Sequence, residues 1–254
     1  VTARRERLAP WLLLAAVLLL WELACRGFGI SEFIFPSPSR IAQQLWEFRA
    51  VIAAHAWRTF WVTMLGFGLA IVVGVLLGFL VGSSRLAYAA MYPLMTAFNA
   101  LPKAAFVPIL VVWFGIGVGP AVLTAFLISF FPITVNIATG LATLEPELED
   151  VLRVLGARRS DVLLKVGLPR SMPYFYASLK VAITLAFVGT TVSEMTAANE
   201  GIGYLLISAG SSMQMGLAFA GLAVVGAMAM AMYELFAIVE RRTTGWAHRR
   251  SGAA

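Results

Sequence analysis

Long apolar runs alternate with short polar stretches along the chain, and each run is long enough, or nearly so, for a helix to cross a hydrocarbon layer. The first run, Leu8 to Cys25, follows Arg4, Arg5 and Arg7. A second is expected from about Thr59 to Val81, with Trp57 and Trp61 at its outer end, where indole rings favour the interface. A third, Tyr88 to Phe114, contains Pro93, Pro102 and Pro108, so the pattern predicts a broken segment rather than a straight helix. Gly115 to Pro120 reads as a turn. Further spans follow at about Ala121 to Leu141 (with Pro132 and Asn136 inside), Phe175 to Ser193, and Leu217 to Val239. The expected fold class is all-α: a polytopic membrane protein with about six transmembrane helices.

Between the first two spans the period changes. Ser39 is placed to cap a helix on which Ile41, Leu45, Phe48 and Ile52 share one face, a helix suited to lie along the outer membrane surface. Gly74, Gly78 and Gly82 form a small-xxx-small stripe, which predicts close internal helix packing rather than a dimer seam. Ala197 to Gln214 reads as a polar outer segment. The organisation expected is an anchor and interfacial helix over 1–58, a membrane core over 59–242 and a basic tail over 243–254. The arginine-led first run has the look of a signal peptide, but Glu22 and the spans that follow favour an uncleaved helix.

Glu145 to Tyr174 is the one long polar island between spans. Pro146 suits a first helical position, and Glu147, Glu149 and Asp150 offset the helix dipole in its first turns. Leu148, Val151, Leu152 and Leu155 then fall on one face, and Gly156 ends the helix. Ser160 is placed to cap a second short helix, which Leu168-Pro169 is expected to stop. A charged helix–Gly–helix unit with its own apolar stripe is built to be gripped by another protein.

At these residues the chain resembles the permease subunits of binding-protein-dependent ABC importers. Their cytoplasmic loop has Glu-Ala-Ala, three residues, Gly, nine residues, an aliphatic residue, one residue, then Leu-Pro. Gly156, Val166, Leu168 and Pro169 match at those intervals, while Asp150-Val151-Leu152 stands in place of Glu-Ala-Ala. The chain is also similar to the subgroup that imports nitrate, sulfonates and taurine, at Phe35-Pro36-Ser37-Pro38-Ser39, Pro102-Lys103 with Pro108, Trp113 to Gly117, and Glu194-Met195 with Gly201 to Leu205. The resemblance implies a second copy of this chain, two cytoplasmic ATPase subunits that bind the ATP, and an external solute-binding protein. It further implies an ATPase-docking loop of Leu148, Asp150, Val151, Leu152, Leu155, Gly156, Leu168 and Pro169. The implied cargo is a small anion, with a vitamin precursor as the alternative.

Composition and charge sharpen this picture. Hydrophobic residues make up 60% and charged residues 13% of the 254, with mean hydropathy +0.86, far from a soluble domain. The formal net charge of +6 does not point to nucleic acid, because the basic residues flank spans. Arg4, Arg5, Arg7, Arg85, Arg153, Arg158, Arg159, Lys165, Arg170, Arg241, Arg242, Arg249 and Arg250 would lie inside, against Arg26, Arg40, Arg49 and Arg58 outside. That asymmetry predicts both termini in the cytoplasm.

The lone Cys25 excludes an intrachain disulfide, and His55 and His248 have no metal-ligand spacing. No phosphate-cradling Gly-x4-Gly-Lys-Ser/Thr loop, His-Glu-x-x-His or Gly-x-Ser-x-Gly occurs, so neither an enzyme nor a nucleotide or other cofactor site is expected in this chain. An ion-coupled secondary transporter would show intramembrane carboxylates and internal repeats. Glu22, Glu194 and Glu234 sit near span ends, where pairing is the expected use. Lys103, the one cation well inside an apolar segment, joins Asn136 and Glu194 as a candidate lining the translocation path.

Overall fold

The structure, a computed structural model, describes residues 2–142, 151–152, 154–156 and 158–244. Leu148 and Asp150 of the docking loop, and His248, lie outside the described residues. Every regular element among them is helical. In chain order these are α1 Thr2–Gly27, α2 Pro38–Glu47, α3 Arg49–Gly82, α4 Arg85–Ala100, α5 Val107–Phe114 and α6 Val118–Ala142. Then follow α7 Arg159–Val162, α8 Leu168–Ala197, α9 Ile202–Ser211 and α10 Met215–Thr243. Among the described residues five helices are long and apolar enough to span a membrane, and the pair Leu86–Ala100 with Lys103–Phe114, bent by 72°, makes the count up to six.

The core is a face-to-face stack of α3, α6 and α8. Its closeness comes from the glycine stripe. A Cβ on Gly74 would lie 2.9 Å from Ile133 Cβ, and one on Gly78 would lie 2.8 Å from Ile137 Cβ. A Cβ on Gly82 would meet the Ala138 backbone at 2.9 Å. The stripe is therefore an internal seam, and helix backbones there approach too closely for any larger residue. Several buried hydroxyls on these helices return to their own backbone, as Thr63 does to the Thr59 carbonyl (2.7 Å) and Ser129 to that of Ala125 (2.6 Å). This satisfies polar groups where no water competes.

α1 is peripheral, with only 6% of its apolar window buried. It is held at one end. Trp21, Phe35 and Phe219 stack at 5.0 to 6.2 Å, and Glu22 accepts from both the Ser39 N–H (2.9 Å) and hydroxyl (2.7 Å) as well as pairing with Arg26 (2.7 Å).

Four local expectations are corrected. Ser37, not Ser39, caps α2, because Pro38 takes the first helical position and Ser39 is used by Glu22. The interfacial helix ends at Glu47, and Phe48 (φ −98°, ψ 17°) breaks it, so Ile52 belongs to α3 and its core face. α7 begins at Arg159, one residue before Ser160, and the Arg158 N–H is held by the Asp161 carboxylate at 3.3 Å, one half of a capping box. Leu168-Pro169 does not stop the second short helix. A π turn over Leu163–Gly167 carries α7 into α8, where Pro169 sits in the first turn and needs no N–H partner. The outer segment after α8 also holds a ten-residue helix, α9, with Ile202, Gly203, Leu205 and Ala209 buried.

Candidate functional site

Three constellations stand out: an elbow at Gly156, a bend at Lys103 and a strap at Glu194. At the elbow the chain is helical at Val151, Leu152 and Val154, and the Leu155 N–H closes the last turn on the Val151 carbonyl at 3.1 Å. Gly156 then turns with φ +87°, a left-handed conformation that disfavours any Cβ. Nothing lies within 4 Å of where that Cβ would stand, so backbone conformation alone selects glycine there.

Val151, Val154 and Leu155 are 57%, 88% and 77% exposed, while Leu152 is half-buried. Val154, which the sequence pattern did not single out, is the most exposed of them. Beyond the elbow, Lys165 pairs with Asp161 at 2.8 Å and holds that carboxyl below the usual carboxylate range. Leu168 is half-buried and Pro169 exposed at the start of α8. At this end of the molecule Lys180 of α8 bonds Glu240 of α10 at 2.6 Å, with side chains only 18% and 12% exposed. The pair ties the last span to the helix that leaves the elbow.

The bend separates α4 from α5 at Leu101-Pro102, and a 3₁₀ turn over Lys103–Phe106 precedes α5. Pro93 is absorbed within α4, so Pro102 is the breaking proline, with Pro108 in the first turn of α5. Lys103 Nζ donates to the Asn99 carbonyl (2.9 Å) and to Asn99 Oδ1 (2.7 Å), and lies 6.0 Å from the centroid of the Phe131 ring. Among the described residues no carboxylate pairs with it. Asn136 is used within its own helix, donating to the Pro132 carbonyl at 2.8 Å.

Glu194, near the carboxyl end of α8, is 3% exposed. The Thr59 hydroxyl donates to its carboxylate at 2.8 and 3.1 Å, and the Gly203 N–H at 3.0 Å. Thr59 Oγ1 in turn accepts from the Ile202 N–H at 2.8 Å, and His55 Nδ1 from the Gly201 N–H at 3.0 Å. The free amides that open α9 are thus capped from two other helices, because Gly201 has no side chain to do it. A Cβ on Gly203 would collide with the Thr191 carbonyl and lie 2.6 Å from Glu194 Cβ. Sequence reasoning marked Glu194 and the Gly201-Ile202-Gly203 run but missed Thr59 and His55, which sit 135 and 146 residues from their partners.

Lys103 reaches α6 at the Phe131 ring, whereas Asn136 bonds within its own helix, so the two are not brought together by any contact among the described residues. Glu194 belongs to the strap with Thr59, His55 and α9, apart from the bend. Residues 70–245 match the family described as "Binding-protein-dependent transport system inner membrane component". The chain belongs to that family.

The permease is 31% identical over 226 residues to a probable ABC transporter permease of Haemophilus influenzae, covering 89% of this chain and 92% of that one. It is 32% identical to the formylaminopyrimidine transport permease ThiX of Halalkalibacterium halodurans, covering 78% and 80%. It is 25% identical to the taurine transport system permease TauC of Escherichia coli, covering 92% and 87%. Its fold is similar to chains of the MetNI methionine ABC transporter in inward-facing conformations, at TM-scores of 0.65 and 0.68, 16% identity, and coverage of 78% of this chain and 98% of those. The protein is therefore a multi-pass inner-membrane permease subunit of an ABC importer. Permeases of this family carry no catalytic activity, and ATP is bound by the partner ATPase.

Proposed function

We propose that the permease is driven through the Gly156 elbow by a cytoplasmic ATPase, that two copies form the path, and that the cargo is a small anion handed over by an external binding protein. The observation that carries the drive is the uncovered apolar face of Val151, Val154 and Leu155 on an otherwise charged stretch. Such a face in water is costly to leave bare, and a cleft in a partner would cover it. The π turn joins α7 to α8, so a push on the elbow is delivered to a helix of the central stack. Rigid-body motion of that kind is how docked loops switch a pathway from one side to the other. Both termini and the elbow would face the cytoplasm, in keeping with the basic residues clustered at those ends.

Lys103 supports the anion. Its Nζ is held by neutral oxygens of Asn99, which leaves the cation uncompensated by any carboxylate among the described residues. A heteroaromatic vitamin precursor is the second reading. The 32% identity to a formylaminopyrimidine permease favours it, as does the Phe130 ring with Phe98 at 6.0 Å and Phe126 at 5.2 Å, near the bend. The test is ATP-driven uptake into proteoliposomes holding the permease, its ATPase and its binding protein. Labelled taurine and nitrate are offered beside labelled formylaminopyrimidine. Uptake of either anion supports the first reading, uptake of the pyrimidine alone supports the second, and entry without ATP would overturn the assignment of drive.

A further inference from the structure

A groove of about 640 Å³ runs down the outside of the bundle between α2, the first turns of α3, and α10. Its walls include Trp46, Ala53, Phe60, Val224 and Met228, and carbon lines it almost throughout. Arg49 stands where α2 meets α3, and it is the only cationic side chain in the lining. On α3 the lining runs from Arg49 to Phe60, eleven residues or roughly 16 Å at 1.5 Å per residue. It is open to the outside and greasy, with a cation where α2 meets α3.

The four arginines at this end of the molecule are not used alike. Arg26 pairs with Glu22 at 2.7 Å, Arg40 with Glu32 at 3.1 Å and Arg58 with Glu200 at 3.3 Å. Arg49 has no carboxylate partner among the described residues. Its guanidinium lies 4.8 Å from the centroid of the Trp46 ring and donates one bond, 2.8 Å, to the Trp46 carbonyl. That contact aims the planar fork and leaves most of its donors open. Trp46 and Trp57, which line the groove with it, are 73% and 61% exposed, as indoles are at headgroup level.

We infer that this groove is a binding site for one membrane glycerophospholipid, with its phosphate on Arg49 and one acyl chain lying along Phe60, Val224 and Met228. Phosphate is an anion that guanidinium holds well, by parallel N–H···O bonds, and it is the anion carried by lipid headgroups at the bilayer surface. Apart from Arg49 the walls offer a small solute no polar side chain to orient it, whereas an acyl chain asks for none. A lipid seated there would wedge α2 against α3 and α10, fixing the interfacial helix to the bundle. The assignment is independent of the cargo and of the elbow.

The permease–ATPase complex is purified in a mild detergent, exchanged extensively, and titrated with dioleoylphosphatidylglycerol while native mass spectrometry counts retained lipids. One phosphatidylglycerol should stay with each wild-type permease. Arg49→Gln, a change at the groove mouth, should weaken that retention about tenfold through loss of the charged contact. Ala53→Trp and Val224→Trp fill the groove from opposite walls, so at least one is expected to fold and to abolish retention. Equal retention by the wild type and all three variants would overturn the site. So would a disulfide between two copies through Ala53→Cys in a Cys25→Ser background, which would show that a second chain covers the groove.

Discussion

Replacing Glu194 by alanine tests the strap most sharply. The carboxylate receives the Thr59 hydroxyl and the Gly203 N–H, both in a site where Glu194 is 3% exposed. Its removal leaves two buried donors without an acceptor, at about 1–3 kcal/mol each. Relief of carboxylate burial offsets part of this, since buried charge is itself costly. A net loss of about 2–4 kcal/mol is expected. For a chain of this size that lowers the melting temperature by roughly 4–16 °C. Glu194→Gln keeps one carbonyl oxygen in place and should lose less than half as much. The assay is thermal unfolding of the purified permease in detergent, followed by monodispersity, with amide exchange at Ile202 and Gly203 as the local readout. Those two amides should exchange faster in the alanine variant while the α3–α6 seam stays protected. An alanine variant that melts with the wild type and keeps both amides protected would refute the strap.

Gly78→Leu should drive α3 from α6, since even a Cβ would approach Ile137 Cβ to 2.8 Å; overpacking of at least about 1–3 kcal/mol predicts poor insertion or a lowered melting temperature. Glu240→Ala leaves Lys180 half-enclosed and unpaired, which should cost about 3–5 kcal/mol, whereas Lys180→Met with Glu240→Leu should recover most of it in a double-mutant cycle. Gly156→Val forces a β-branched residue to φ +87° and should cost about 1–3 kcal/mol locally, so ATPase co-purification should fall while insertion is normal. Lys103→Met should leave assembly and ATP hydrolysis intact but reduce uptake of an anion; unchanged uptake across substrate concentrations would remove Lys103 from the path.

The spans were legible because membrane helices must close their own backbone bonds, so runs of apolar residues report them directly. The broken third segment was legible from its prolines, but which proline breaks it was not. Pro93 is tolerated inside α4 and only the environment of Pro102 decides the 72° bend. Phe48 carries no local signal for a break, being neither glycine nor proline, and the split between α2 and α3 is set by packing on α10. Pro169 reads as a stop in sequence, yet a π turn before it lets the helix run on. The Gly74-Gly78-Gly82 seam could be read because spacing alone defines it. Thr59, His55 and the Lys180–Glu240 pair could not, since their partners are distant in sequence and only the stack of α3, α8 and α10 brings them together.

The proposed drive requires an ATPase to grip the elbow. Val154 offers a direct probe because it is 88% exposed and Cys25, the chain's single cysteine, is buried. In a Cys25→Ser background, Val154→Cys is labelled in native membranes with a short reagent that is thiol-reactive at one end and photoactivated at the other, then irradiated. The permease–ATPase account predicts a crosslinked band containing the ATPase, which disappears when the ATPase is stripped and is unaffected by an impermeant external thiol blocker. Modification of that cysteine by the impermeant reagent in intact cells, with no ATPase adduct, would contradict it.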